Sequence, residues 1–234
     1  MATASRIAVL GAMPSELRPL VKPLGLRKAH LGAIEVRTGR LGGAEVVVLK
    51  TGIGPVQAQR ATEQLLKGGP FDRVVMIGIA GGIGGNQEIG DLVVAETVID
   101  GRSGASYRAA PLPGLDQAGT LHTADYLILD PAKLDEMRAQ GIVALDMETA
   151  AVAAACEAAG TEWSSIRSIS DRPTDKLVDD NLLDLTRPDG RPNVPAVVKR
   201  LARHPGDIRK LARLGKDATA AAKAAADAFV SVYR

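Results

Sequence analysis

Apolar runs bounded by glycine recur along the chain, and their spacing alternates between strand and helix. Arg6-Ile-Ala-Val-Leu-Gly11 predicts a buried strand that opens the fold. Residues 33–37 and 45–51 flank Gly42-Gly43, which predicts a hairpin. Residues 55–67 predict a helix, with Pro55 suited to the first helical position and Gly68-Gly69 ending it. Residues 73–78 and 91–95 read as strands. Residues 131–140 predict a helix stopped by Gly141; residues 142–145 predict a short strand running into an Ala-rich helix at 147–159, followed by a strand at 165–169. Beyond Val194 the pattern predicts two or three helices, broken near His204-Pro205-Gly206 and at Gly215. Residues 101–119 and 172–195 are rich in Pro, Gly and polar residues and read as loops or lids. Strands alternating with helices predict an α/β fold, one domain over residues 1–234 with a helical, basic tail from about residue 194.

Composition narrows the partners. Of 234 residues 46% are hydrophobic and 24% charged, which fits a globular chain and excludes collagen-like or wholly disordered classes. Lys+Arg number 29 against 27 Asp+Glu, too even for a general nucleic-acid binder. One cysteine, Cys156, excludes an intramolecular disulfide. No apolar run approaches the roughly 18 residues of a membrane span, and Met1-Ala-Thr-Ala-Ser-Arg6 lacks a signal core, so a cytoplasmic location is expected. Aromatic residues are only 3%, so the core must be Val, Ile, Leu and Ala. Local charge is less even: between residues 197 and 217 seven basic residues face Asp207 and Asp217. That pattern reads either as a solvated helical face or as a surface for an anionic partner such as a membrane.

Several chemistries lack their residues. His30, His122 and His204 are far apart with no ligand spacing, so no metal is expected. No Gly-x-Ser-x-Gly occurs. Gly78-Ile-Ala-Gly-Gly-Ile-Gly84 follows a strand but opens no helix, which argues against a dinucleotide fingerprint; such glycines still let backbone approach a flat or anionic ligand. What remains is three carboxylates at three strand-to-loop junctions: Glu16 after the first strand, Glu148 in Asp146-Met147-Glu148, and Asp171 after Ser170. Singly, each has a plainer reading as a turn cap or a first-turn acid. Ligands of open α/β sheets lie beyond the carboxyl ends of strands, so the three together point to a site.

Four stretches carry a family resemblance: Val9-Leu-Gly-Ala-Met-Pro-Ser-Glu16; Thr51-Gly-Ile-Gly-Pro-Val-Gln-Ala58; Ile77-Gly-Ile-Ala-Gly-Gly82 with Ile89-Gly-Asp-Leu-Val-Val94; and Ala144-Leu-Asp-Met-Glu-Thr-Ala-Ala-Val152 followed by Arg167-Ser-Ile-Ser-Asp171. The chain resembles the purine nucleoside phosphorylase/uridine phosphorylase superfamily, in particular its 5′-methylthioadenosine/S-adenosylhomocysteine nucleosidase branch. The resemblance implies a three-layer α/β/α fold with a central mixed sheet, and cleavage of the bond between ribose C1′ and a purine nitrogen. By resemblance Asp171 protonates purine N7 with Ser170 orienting it, and Glu16 orients the attacking water. Glu148 binds the ribose hydroxyls and Met147 packs on the sugar. Ala80 and Gly81 line the base pocket, Ile53 and Met13 the sugar side, and Leu127, Ile128 and Arg167 complete the substrate-binding set. No cofactor is implied, only phosphate as co-substrate should the enzyme be a phosphorylase. A homo-oligomer is implied as well.

The chain also departs from the family pattern. Leu127 stands where a base-stacking aromatic is usual, and Ile79 replaces a small polar residue before Ala-Gly-Gly, both making the pocket aliphatic. The tail, through Leu185-Thr-Arg-Pro-Asp-Gly190 and residues 194–206, looks more like the hopanoid-biosynthesis nucleoside phosphorylases. Hydrolysis is favoured by Glu16 and by the absence of a Gly-Asp-Pro-x-Arg loop. Phosphorolysis stays open through Arg18, Arg40, Arg102 or Arg172, and a non-catalytic nucleoside-binding module is the alternative of another class.

Overall fold

A computed structural model describes residues 5–172, 185–191, 193–204 and 206–234. The predicted loop at 172–195 therefore falls largely outside the described residues. Among the described residues eleven strands form one mixed sheet: β1 (Arg6–Gly11), β2 (Arg27–Leu31), β3 (Ile34–Leu41), β4 (Ala44–Lys50), β5 (Arg73–Gly82), β6 (Leu92–Val93), β7 (Thr97–Asp100), β8 (Ser106–Arg108), β9 (Thr120–Thr123), β10 (Ile142–Asp146) and β11 (Trp163–Asp171). The helices are α1 (Pro14–Leu17), α2 (Pro55–Lys67), α3 (Pro131–Ala139), α4 (Thr149–Ala158), α5 (Val194–Arg203) and α6 (Asp207–Tyr233).

The central strands read as unbroken apolar runs because both of their faces are buried. Alternation splits them. Ala8, Leu10, Val47, Leu49, Val74 and Met76 pack with α2 and α4 on one side. Ile7, Val9, Val46, Val48, Val75 and Ile77 pack with Ala225, Ala226 and Phe229 of α6 on the other. Those two cores are the two interfaces of a three-layer α/β/α fold, as expected.

β5 is the hub. It runs parallel to β1 along its first half and antiparallel to β10 at Gly81 and Gly82, while β11 runs parallel along its other edge. The glycine stretch expected to follow the strand thus belongs to it as far as Gly82. Gly78 shows why it is glycine: a Cβ there would collide with Glu16 Oε1 and lie 2.6 Å from Arg167 Nη1.

The helix boundaries follow from capping. α2 starts at Gly54-Pro55, and Asp130 caps α3 by accepting from Ala132 N–H at 3.0 Å. Two expectations need correction. The predicted loop at 101–119 contains β8, paired antiparallel to β7. Gly215 does not break the tail, because α6 runs through it for 27 residues. One interior glycine costs only about 1 kcal/mol, which the Ala-rich, buried second half of α6 outweighs. Among the described residues no helix is long and apolar enough to cross a membrane.

Candidate active site

A cavity of about 600 Å³ opens where β1, β5, β10 and β11 end. Each strand end delivers a carboxylate or its support. Glu16 follows β1 on α1, a turn that begins at Pro14. Its two oxygens accept from Met13 N–H at 2.7 Å and Ile79 N–H at 3.0 Å. Glu148 sits at the start of α4, where Oε1 accepts from Gly54 N–H at 2.8 Å. Gly54 adopts a φ of 91°, a backbone that glycine tolerates, and this turns its N–H toward the carboxylate. Asp171 ends β11; Ser170 Oγ donates to its Oδ1 at 2.6 Å. The other Asp171 oxygen lies over Gly81, 3.3 Å from where a Cβ would be.

Beneath the cavity lies Arg167, fully buried. It contacts Asp146, lies 3.4 Å from Glu148 Oε2 and 3.8 Å from Glu16 Oε1. Asp146 is fixed in turn by Thr123 Oγ1 at 2.5 Å and by Thr149 N–H at 2.9 Å. A guanidinium survives in an interior only when its charge is matched, and here one cation meets three carboxylates. The excess negative charge is eased by a raised proton affinity at Glu148 and Glu16. Burial pushes the Glu148 carboxyl up to about 8, Arg167 pulling against it while Asp146 and Glu16 add to the rise. Burial raises Glu16 too, opposed by Arg167 and by its backbone donors.

The structure brings the expected residues to one wall with one exception. Met13, Glu16, Ile53, Ala80, Gly81, Leu127, Ile128, Met147, Glu148, Ser170 and Asp171 all line the cavity. Arg167 does not. It was expected among the substrate-binding residues, but it points from mid-β11 into the carboxylate cluster and supports the wall from behind. The aliphatic substitutions Leu127 and Ile79 are both on the wall.

Several wall residues were not anticipated. Tyr126, beside Leu127, lines the cavity while half exposed, and its hydroxyl receives Lys133 Nζ at 2.7 Å. Leu185 and Thr186 open a segment that docks beside Ile53: Ile53 N–H donates to Pro188 O at 2.9 Å, and Lys50 Nζ donates to Asp189 O at 3.0 Å. The tail closes the far side. Val197 of α5 and Leu211, Leu214 and Ala218 of α6 face the cavity. Leu211, Leu214 and Ala218 recur at helical spacing, a signal present in the sequence but without a target until the fold is known.

Among the described residues no three His, Cys, Asp or Glu side chains are arranged to hold a metal. What the arrangement offers is a concave, largely aliphatic space with anionic oxygens and exchangeable protons at one end. That suits a neutral, flat ligand on which charge develops during reaction.

Comparison with known proteins agrees. The phosphorylase superfamily profile matches residues 6–118 and 113–203. The 5′-methylthioadenosine/S-adenosylhomocysteine nucleosidases of Chromohalobacter salexigens and Bacillus subtilis are each 32% identical, over 71% of this chain and 84% and 85% of theirs. Among solved structures, the Neisseria meningitidis 5′-methylthioadenosine/S-adenosylhomocysteine nucleosidase in complex with methylthio-immucillin-A superposes with a TM-score of 0.74 at 20% identity, covering 97% of this chain and 98% of that one. The futalosine hydrolase of Helicobacter pylori gives 0.72 at 18%, covering 98% and 97%. With its profile match spanning most of the chain, relatives above 30% identity and the expected three-layer fold around the cavity, this chain belongs to the phosphorylase superfamily.

Proposed function

We propose that the cavity hydrolyses the N-glycosidic bond of a purine nucleoside bearing an apolar 5′ substituent, with 5′-methylthioadenosine as the reference substrate. The observation that carries this is the convergence of Glu16, Glu148 and Asp171 on one cavity, each held by its own hydrogen-bond donor. Bond cleavage leaves an electron-rich purine and a cationic sugar. A proton donor is needed on the base side and anionic oxygen on the sugar side.

Asp171, steadied by Ser170 beside Ala80 and Gly81, gives its proton to purine N7 as the bond to C1′ lengthens. Glu148 receives the ribose hydroxyls, with Met147, Met13 and Ile53 packed on the sugar. Glu16, fixed by two N–H donors, holds a water toward C1′ and takes its proton. Arg167 touches none of the reacting atoms; it keeps Glu16 and Glu148 in register. The apolar wall from α5 and α6 takes the 5′ substituent.

One observation favours a second reading, phosphorolysis: Arg172 is on the cavity wall, where a phosphate oxyanion would find charge. Arg18, Arg40 and Arg102 are exposed and away from it. The test is adenine release from 5′-methylthioadenosine, S-adenosylhomocysteine and inosine, each with and without phosphate. Phosphate-independent adenine release with free sugar as product supports hydrolysis. A rate that follows phosphate and yields a sugar 1-phosphate overturns it, and no base release from any of them overturns the nucleosidase reading.

A further inference from the structure

The two tail helices have a second face that the cavity does not use. Lys199 and Arg203 of α5 and Arg209, Lys210, Arg213 and Lys216 of α6 are all exposed. Lys210 and Arg213 are tied to Asp207 and Asp217, each at 3.5 Å. Lys199, Arg203, Arg209 and Lys216 make no ion pair among the described residues. Of the five large hydrophobic residues exposed among the described residues, two are on these helices: Val194, 61% exposed, and Ile208, 59% exposed. A third, Tyr126, is on the cavity wall. Gly215 is likewise both exposed and on the wall, so the cavity mouth borders α6 between Arg213 and Lys216.

We propose that α5 and the first half of α6 form a docking surface for an anionic lipid bilayer, with the cavity mouth at its edge. Charge complementarity selects the occupant: long basic side chains keep their heads at phosphate level while isolated apolar tips enter the headgroup boundary. A protein partner would call for a continuous apolar patch at the centre of the contact. Val194 and Ile208 are instead, among the described residues, the two large apolar side chains exposed on these helices, one near the start of each. The near-neutral balance of the whole chain makes the local excess more telling, since it is concentrated between residues 197 and 217. This surface is independent of the proposed chemistry and stands or falls without it.

The test is co-sedimentation of the full chain with phosphatidylcholine vesicles, plain or carrying about 30 mol% phosphatidylglycerol, the range in which surface charge attracts basic segments. Salt is raised from about 0.1 M to about 1 M, which shortens the screening length from about 10 Å to about 3 Å. The expected result is at least tenfold (~10×) stronger partition into the anionic vesicles, lost at high salt. Charge reversal of Lys199, Arg203, Arg209 and Lys216 to Glu abolishes it while adenine release from 5′-methylthioadenosine and the melting temperature stay unchanged. Ile208→Ser weakens partition several-fold and keeps its salt dependence. Equal binding to both vesicles, no binding at low salt, or full binding by the reversed variant overturns the proposal. So does tighter binding to a duplex oligonucleotide than to the anionic vesicles.

Discussion

Replacing Glu148 by Gln tests the buried charge cluster and the proposed sugar contact in one protein. The folded state raises this carboxyl from an ordinary 4.5 to about 8, so the folded chain keeps a proton that the unfolded chain has already lost. Its contribution is therefore intact below pH 4.5 and is lost as the pH rises toward 8. Over that interval the folded state gives up about 4 kcal/mol, most of it between pH 5 and 8, at roughly 1.4 kcal/mol per pH unit. Glu148→Gln cannot ionise, yet its amide oxygen still accepts from Gly54 N–H. Its unfolding free energy should fall much less between pH 5 and 8, with the remaining slope set by Glu16, whose carboxyl is raised and still present. Urea unfolding at several pH values across that range measures both slopes. The same variant replaces the carboxyl that hydrogen-bonds the ribose hydroxyls, about 0.5–1.5 kcal/mol for each bond lost, so kcat/KM for 5′-methylthioadenosine should drop about 2- to 12-fold per bond. Parallel pH slopes for the two proteins would refute the assignment of the trapped proton to Glu148. An unchanged kcat/KM would remove it from the sugar.

Asp171→Asn keeps the shape of the side chain but cannot deliver a proton, so turnover should fall about 10²- to 10⁴-fold with substrate affinity nearly intact, as steady-state kinetics and inhibitor binding would show. Glu16→Gln should slow hydrolysis strongly with little change in KM, read from single-turnover adenine release; an unaffected rate would take water orientation away from it. Gly78→Ala forces a methyl group against Glu16 and Arg167 and should lower stability by about 1–3 kcal/mol while cutting activity, measured by thermal melting alongside turnover.

The parts of the fold that were legible in the sequence were those buried on both faces. β1, β4 and β5 announce themselves as apolar runs bounded by glycine, and α2 by its proline start. β2 and β9, Arg-Lys-Ala-His-Leu and Thr-Leu-His-Thr, carry too little apolar signal and exist because neighbours pair with them. Periodicity likewise reports nothing about Gly78, whose lack of a side chain matters only once Glu16 and Arg167 close over it. The three carboxylates were found because each follows a strand. The direction of Arg167 was not, since a residue in mid-strand faces either side according to register and a β-bulge near its end. The tail's contribution to the cavity had a periodic signal but no target in the sequence: Val197 and Leu214 share a cavity with Glu16 and Glu148 only through tertiary packing.

That last feature separates two tasks along the chain. In the proposed reaction bond cleavage falls to the carboxylates between Glu16 and Asp171, while Leu185, Val197, Leu211 and Leu214 help shape the rest of a cavity that Tyr126, Leu127 and Ile128 also line. A change at Leu211 or Leu214 enlarges or narrows the chamber without moving a carboxylate, because Ala225 and Phe229 anchor the same helix about three to five turns away. Retargeting through these α6 wall residues is therefore a modular operation, in which room for a different 5′ substituent is acquired in one segment and the proton transfers of the proposed reaction are inherited from another.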